Sequence, residues 1–253
     1  MDPRSVTRLT RLAVALATAT LLLVAACSSS SGTTPPPPGK STAGTQPAGS
    51  GTATDDGFDK TAHSTTKASS IWVVVNKKHT IKPLHYAPKL TTVDGKEIGK
   101  VMAPALRKLL AASARHGTPL HVVSGYRSYD YQVEVYNRNV ATNGKAHADR
   151  YSARPGHSEH QTGLAADLDN ISSSCVLEPC FGQTPGGKWL ARHAANFGFI
   201  IRYTPANTKI TGYNPEPWHV RYVGIPLAKE MKKTHIDSLE EFFGISGGNY
   251  PKK

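Results

Sequence analysis

Ser158–Asp167 reads S-E-H-Q-T-G-L-A-A-D and Glu216–His219 reads E-P-W-H. The first stretch offers His160 and Asp167; the second offers His219 with Glu216 three residues before it. Two His and one Asp form a three-ligand zinc set that leaves the fourth position open for water, the pattern of catalytic rather than structural zinc. Glu216 is then a free carboxylate able to take a proton from that water. On one helix, His160 and Asp167 would lie about 10.5 Å apart along the axis, too far to share an ion. On an unbroken strand their odd separation would point them to opposite faces. The backbone must therefore break between them, and Thr162-Gly163 is where a bulge or bend is cheapest. Leu164, Ala166 and Leu168 then face a core, with Ala165, Asp167 and Asp169 on the other side. Pro217 keeps Glu216 extended. Beyond it Trp218, Val220 and Tyr222 alternate with His219 and Arg221, as in a strand with one chemical face.

Outward from these stretches the composition is that of a single domain, from Ile71 to about Ile245, long enough to bury a core. Ile71–Asn76 reads as a short apolar strand and Lys77–Asp94 as a Pro-punctuated loop. Lys100–His116 reads as an amphipathic helix stopped by Gly117. Leu120–Ser124 is a strand that hands over, through Tyr126-Arg127-Ser128, to a helix capped by Ser128. An Arg held at such a strand end can bind a carboxylate or a developing oxyanion; without further context it reads as a surface Arg paired with a local acid. Gln132 lies one helical turn on. Lys145–Arg154 reads as a short helix, Pro185–Phe197 as a helix ended by Gly198, and Phe199–Tyr203 and Trp218–Val223 as strands. Ser238–Glu241 is a capping box opening a last short helix, and residues 246–253 read as a tail. The expected fold is α+β: a mostly antiparallel sheet with helices packed on one face and the zinc site on the other.

The S-x-H-x-x-G-x-A-x-D pattern with E-x-W-H resembles the zinc D-alanyl-D-alanine carboxypeptidases of the VanY type, relatives of the D-Ala-D-Ala dipeptidases. The resemblance extends through Ser124-Gly-Tyr-Arg-Ser128, Val75-Asn-Lys-Lys-His79 and Tyr86-Ala-Pro-Lys-Leu90, and so covers roughly Val73 to Gly224. It implies that His160, Asp167 and His219 bind Zn2+, that Glu216 is the general base, and that Arg127 contacts substrate with help from Gln132. Ser158 and Asp169 are further candidates for holding substrate or ligands. Eleven histidines make chance pairs expected, and an isolated His is more often a satisfied polar group than a ligand. The combined pattern singles out two of them and leaves His157, beside the site, as structural.

Met1–Ala26 has a basic head (Arg4, Arg8, Arg11), an apolar run and a small-residue exit, the marks of a signal peptide. Val24-Ala25-Ala26-Cys27 resembles a bacterial lipobox, which makes Cys27 a lipidation site and implies extracytoplasmic anchoring to the membrane; a plain secretory signal is the other reading. Residues 27–70, rich in Ser, Thr, Gly and Pro, read as a disordered tether. In an oxidising compartment Cys175 and Cys180 are expected to form a small-loop disulfide. The net charge is +12, and +10 without the leader, which carries three Arg and one Asp. That balance favours wall polymers and lipid head groups over nucleic acid as surroundings; a solvated basic surface serving solubility is an equally good reading. The expected activity is removal of the terminal D-Ala from peptidoglycan stem peptides by a monomer. The alternatives are an L,D-carboxypeptidase, a D-Ala-D-Ala dipeptidase or a wall endopeptidase on the same fold, and a non-catalytic wall-binding lipoprotein, against which the intact Glu216 argues.

Overall fold

The computed structural model describes residues 57–171 and 175–252. The expected signal peptide, the lipidated Cys27 and the tether as far as residue 56 lie outside them. Elements follow in the order β1 (Leu90–Val93), β2 (Lys96–Gly99), α1 (Ala103–Arg115), β3 (Leu120–Ser124), α2 (Tyr129–Asn143) and α3 (Lys145–Tyr151). Then come β4 (Ala165–Asn170), α4 (Pro185–His193), β5 (Phe199–Tyr203), α5 (Thr208–Thr211), β6 (Glu216–Tyr222), α6 (Ile225–Thr234) and α7 (Leu239–Phe243).

Four strands form an antiparallel sheet in the order β3-β4-β6-β5. On one face Val122, Ala166, Leu168, Val220 and Phe199 pack against Leu106 and Leu109 of α1 and Trp189 and Leu190 of α4. Strand periodicity sends the alternate residues, Asp167 and His219, to the opposite face. There the register pairs Asp167 with His219 on β6 and with Ser124 on β3. The architecture is the expected α+β one.

The break ahead of β4 is a 3-10 turn at Glu159–Thr162 closed by Gly163 at φ 69°. A Cβ on Gly163 would sit 2.8 Å from Pro88 Cγ and 2.9 Å from Gly99 Cα. The left-handed φ and the close approach thus both demand glycine. Ser128 caps α2 as expected, its hydroxyl accepting from the Tyr131 amide at 3.1 Å, and Ser238 does the same for α7. A disulfide joins Cys175 and Cys180, with Cα atoms 5.6 Å apart. Among the described residues no helix is long and apolar enough to cross a membrane.

Several sequence expectations are corrected. Asp94-Gly95, both at positive φ, turn a β1–β2 hairpin where a loop was expected; this dipeptide favours exactly such two-residue turns. Helix α4 stops at His193, and Ala194–Phe197 continue as a 3-10 turn. Ile71–Asn76 is not a strand, because its carbonyls bond to a side chain: Arg221 Nη2 donates to Ile71 O at 3.1 Å and to Val73 O at 2.8 Å. The polar stretch before it is packed from residue 57 onward, with Phe58 against Trp72 and Phe242 and Ala68 buried. The expected C-terminal tail is likewise packed: Ser246 O accepts from Asn76, and the Tyr250 hydroxyl accepts from the Arg154 amide at 2.8 Å. Phe58, half-buried, docks the segment together with Lys60, which donates to Phe242 O at 2.8 Å, and His63, whose ring meets Trp72.

Candidate metal centre

His160 lies in the 3-10 turn, Asp167 on β4, and His219 faces it from β6. All three are at most 5% exposed. One ligating atom from each lies within 4.8 Å of the other two. His160 Nε2 is 3.3 Å from Asp167 Oδ2, and His219 Nδ1 is 3.1 Å from Asp167 Oδ1. The two imidazole planes stand at 89°.

The hydrogen bonds on the far side of each ring fix which nitrogen faces the centre. His160 Nδ1 lies 2.7 Å from the carbonyl of Gly125, which can only accept, so Nδ1 carries the proton and Nε2 turns its lone pair inward. His219 Nε2 faces Glu159 Oε2 at 3.4 Å, which directs Nδ1 inward. Asp167 Oδ1 is buried and makes no hydrogen bond. A buried carboxylate with an unsatisfied oxygen, flanked by one ring nitrogen of His160 and one of His219, fits a divalent cation. Two nitrogens, one oxygen and an adjoining cavity suit Zn2+ with an open fourth position.

Charge in the centre is unevenly distributed. Burial pushes His160 down, with Asp167 opposing. Burial also works against a charge on His219, but Asp167 and Glu159 outweigh it and push the group up to about 9. Against the cost of burial, His160 and His219 hold Asp167 well below the usual carboxylate range. Glu216 Oε2 lies 3.7 Å from His219 Nδ1, beside the group of three that could hold a metal ion but not part of it. Burial pushes Glu216 up to about 8; His219 and Arg127 oppose the rise and Asp167 adds to it.

A cavity of about 150 Å³ opens beside the trio, lined among others by Arg127, Ser158, Tyr203, Tyr213 and Glu216. Arg127 is held from behind: its Nη1 donates to Gln132 Oε1 at 2.9 Å and its Nη2 to Ser124 Oγ at 3.2 Å. Gln132 is wholly buried and donates to Ala153 O at 2.7 Å. It therefore orients Arg127 and does not reach the cavity, a correction to its expected place among the substrate contacts. Asp169 is corrected too. Two residues beyond Asp167 on β4, it is fully buried opposite His121, and its Oδ1 accepts from the Asn170 amide at 2.6 Å.

Sequence reasoning missed Glu159, which is 1% exposed. It accepts from Arg202 Nε at 2.9 Å and Arg221 Nη1 at 2.7 Å, two guanidiniums that are themselves fully buried. Arg202 also makes a two-pronged pair with Glu240 at 2.9 and 2.6 Å. Despite its burial, Arg202 and Arg221 hold Glu159 far below the ordinary carboxylate range, so it stays charged behind His219. Its partners lie 43 and 62 residues away, and no local pattern announces them.

The chain is similar to known proteins over the span that holds these residues. A family model described as VanY, D-alanyl-D-alanine carboxypeptidase, matches residues 95–225, the span holding Arg127, His160, Asp167, Glu216 and His219. YodJ of Bacillus subtilis (strain 168), named as a carboxypeptidase, is 39% identical over 185 residues, 69% of this chain and 67% of its own. The solved LdcB LD-carboxypeptidase is 38% identical with a TM-score of 0.65, over 71% of this chain and 88% of its own. A mutant of the vancomycin resistance D,D-pentapeptidase VanY, solved in complex with Zn(II), is 34% identical with a TM-score of 0.60, over 70% of this chain and 99% of its own. The chain belongs to the VanY family of D-alanyl-D-alanine carboxypeptidases.

Proposed function

We propose that this protein removes the terminal D-Ala from peptidoglycan stem peptides, with His160, Asp167 and His219 holding Zn2+ and Glu216 serving as general base. The observation that carries the reading is a further, half-buried carboxylate, Glu216, 3.7 Å from His219 Nδ1 and lining the same cavity. A site that only bound the wall would have no use for it. Bound zinc supplies Lewis acidity, which acidifies water and polarises a carbonyl. Glu216 takes the proton from the attacking water as its oxygen bonds to the scissile carbonyl carbon. It returns that proton to the amine nitrogen as the C–N bond breaks. Among the described residues Arg127 is the one guanidinium or ammonium lining the cavity. Held by Gln132 and Ser124, it holds the carboxylate that a carboxypeptidase substrate must present. Cys27 carries a lipid, and the chain between it and the domain sets its reach from the membrane.

A second reading, cleavage of the L,D bond of tetrapeptide stems, is favoured by the greater likeness to the LdcB LD-carboxypeptidase than to the D,D-pentapeptidase. Muropeptides with tetrapeptide and pentapeptide stems, incubated with zinc-loaded protein and weighed, distinguish the two. Loss of one Ala from pentapeptides alone supports the first reading. Loss from tetrapeptides supports the second, and intact peptides in both arms refute the peptidase assignment.

A further inference from the structure

A second cleft, of about 690 Å³, lies between residues 145–154 and the end of the chain. Lys77, Lys145, Arg150, Arg154 and Lys252 line it, and among the described residues the one carboxylate side chain on its walls is that of Asp149. That carboxylate is already committed: Arg154 donates to its two oxygens at 2.9 and 2.8 Å, and the Tyr136 hydroxyl donates at 2.7 Å. Arg154 also stacks on Tyr250 at 3.9 Å from the ring centroid. Lys77 sits over the Tyr213 ring at 4.1 Å and donates to Gly212 O. Two cations are thus locked into the floor by aromatic faces. Above them Lys145, Arg150 and Lys252 are exposed, and among the described residues none is ion-paired. Walls of one sign concentrate the field inside a cleft.

The cleft shares a wall with the catalytic cavity. Tyr151, Ser152 and Ala153 line the cavity, while Arg150 and Arg154, at either end of the same segment, line the cleft. Tyr213 of the cavity and Tyr250 of the cleft bring their hydroxyls to 3.3 Å, and the Asn214 amide donates to Arg150 O. We propose that this cleft is a subsite for an acidic peptide: carboxylates upstream of the scissile bond bind to Lys145, Arg150 and Lys252 while the C-terminal residue occupies the cavity. The proposal rests on the peptidase reading above. Continuity with the cavity favours the substrate's own chain over a separate phosphate-bearing polymer.

The test uses two stem peptides that differ only in a free carboxylate or a carboxamide upstream of the scissile bond. Both are given to the zinc-loaded protein and to its Lys145→Gln/Arg150→Gln/Lys252→Gln variant. The parent should favour the acidic peptide by about two- to fivefold in kcat/KM at low salt, the effect expected of one exposed carboxylate paired with a cation of the cleft. The preference should fade as salt is added and be lost in the variant. A parent that does not discriminate, or a variant that discriminates as strongly as the parent, overturns the proposal. If neither peptide is cleaved, the peptidase reading fails and calorimetric binding of the two peptides decides: tighter binding of the acidic one by the parent alone upholds the subsite, equal binding overturns it. Binding of a phosphodiester polymer to the parent without discrimination between the peptides would instead assign the cleft to that polymer.

Discussion

Replacing Glu159 tests whether the buried charges behind the metal centre support both the fold and the site. Glu159→Leu removes the carboxylate that accepts from Arg202 at 2.9 Å and Arg221 at 2.7 Å and faces His219 Nε2 at 3.4 Å. Arg202 keeps its two-pronged pair with Glu240. Arg221 keeps only the carbonyls of Ile71, Val73 and Tyr222. The loss therefore falls on Arg221, and a buried charge stripped of its partner costs about 3–5 kcal/mol. That is a large part of the roughly 5–15 kcal/mol holding a domain together. His219 meanwhile loses the group that fixes its ring, which typically weakens metal affinity about 10–100-fold. Urea denaturation of the zinc-free protein reads the first effect, and competition with a chelator reads the second. The pair Glu159→Leu/Arg221→Met separates them. With both charges gone, stability should largely return, since apolar replacement of a whole buried pair is often neutral. Zinc affinity should stay low. A single variant within about 1 kcal/mol of the parent that also binds zinc as tightly would refute the role assigned to Glu159.

Three further outcomes follow from the same geometry. Glu216→Gln keeps shape but cannot accept a proton, so zinc content should persist while turnover falls about 10²–10⁴-fold; loss of zinc on metal analysis would make Glu216 a ligand instead. Gln132→Ala frees Arg127 Nη1 from its 2.9 Å acceptor, and kcat/KM should fall about tenfold or more through loss of a charge-assisted hydrogen bond. The fall should appear mainly in KM with zinc retained, and unchanged kinetics would count against Arg127 as a carboxylate holder. Cys27→Ser should move the protein from the membrane fraction to the soluble one with peptidase activity intact, and a variant that stays with the membrane excludes the lipid anchor.

The sequence by itself determined which side chains meet at the candidate metal centre. His160, Asp167, His219 and Glu216 are legible because the chemistry needs those residue types and because strand alternation, with one break at Gly163, dictates which face each takes. The helices and strands around them are legible for the same reason: period and capping are local properties. Tertiary structure alone decided what stands behind the site. Glu159 lies between two motif residues, yet its role depends on Arg202 and Arg221, brought to it by β5 and β6. Gln132 turns from substrate contact to support because the fold buries it behind Arg127. Phe58 and Tyr250 belong to the domain although their surroundings are polar, because each finds its aromatic or cationic partner far along the chain. A charge or a ring reads as solvated until a distant partner is placed against it. Burial and pairing are properties of the assembled fold, and no window of sequence contains them.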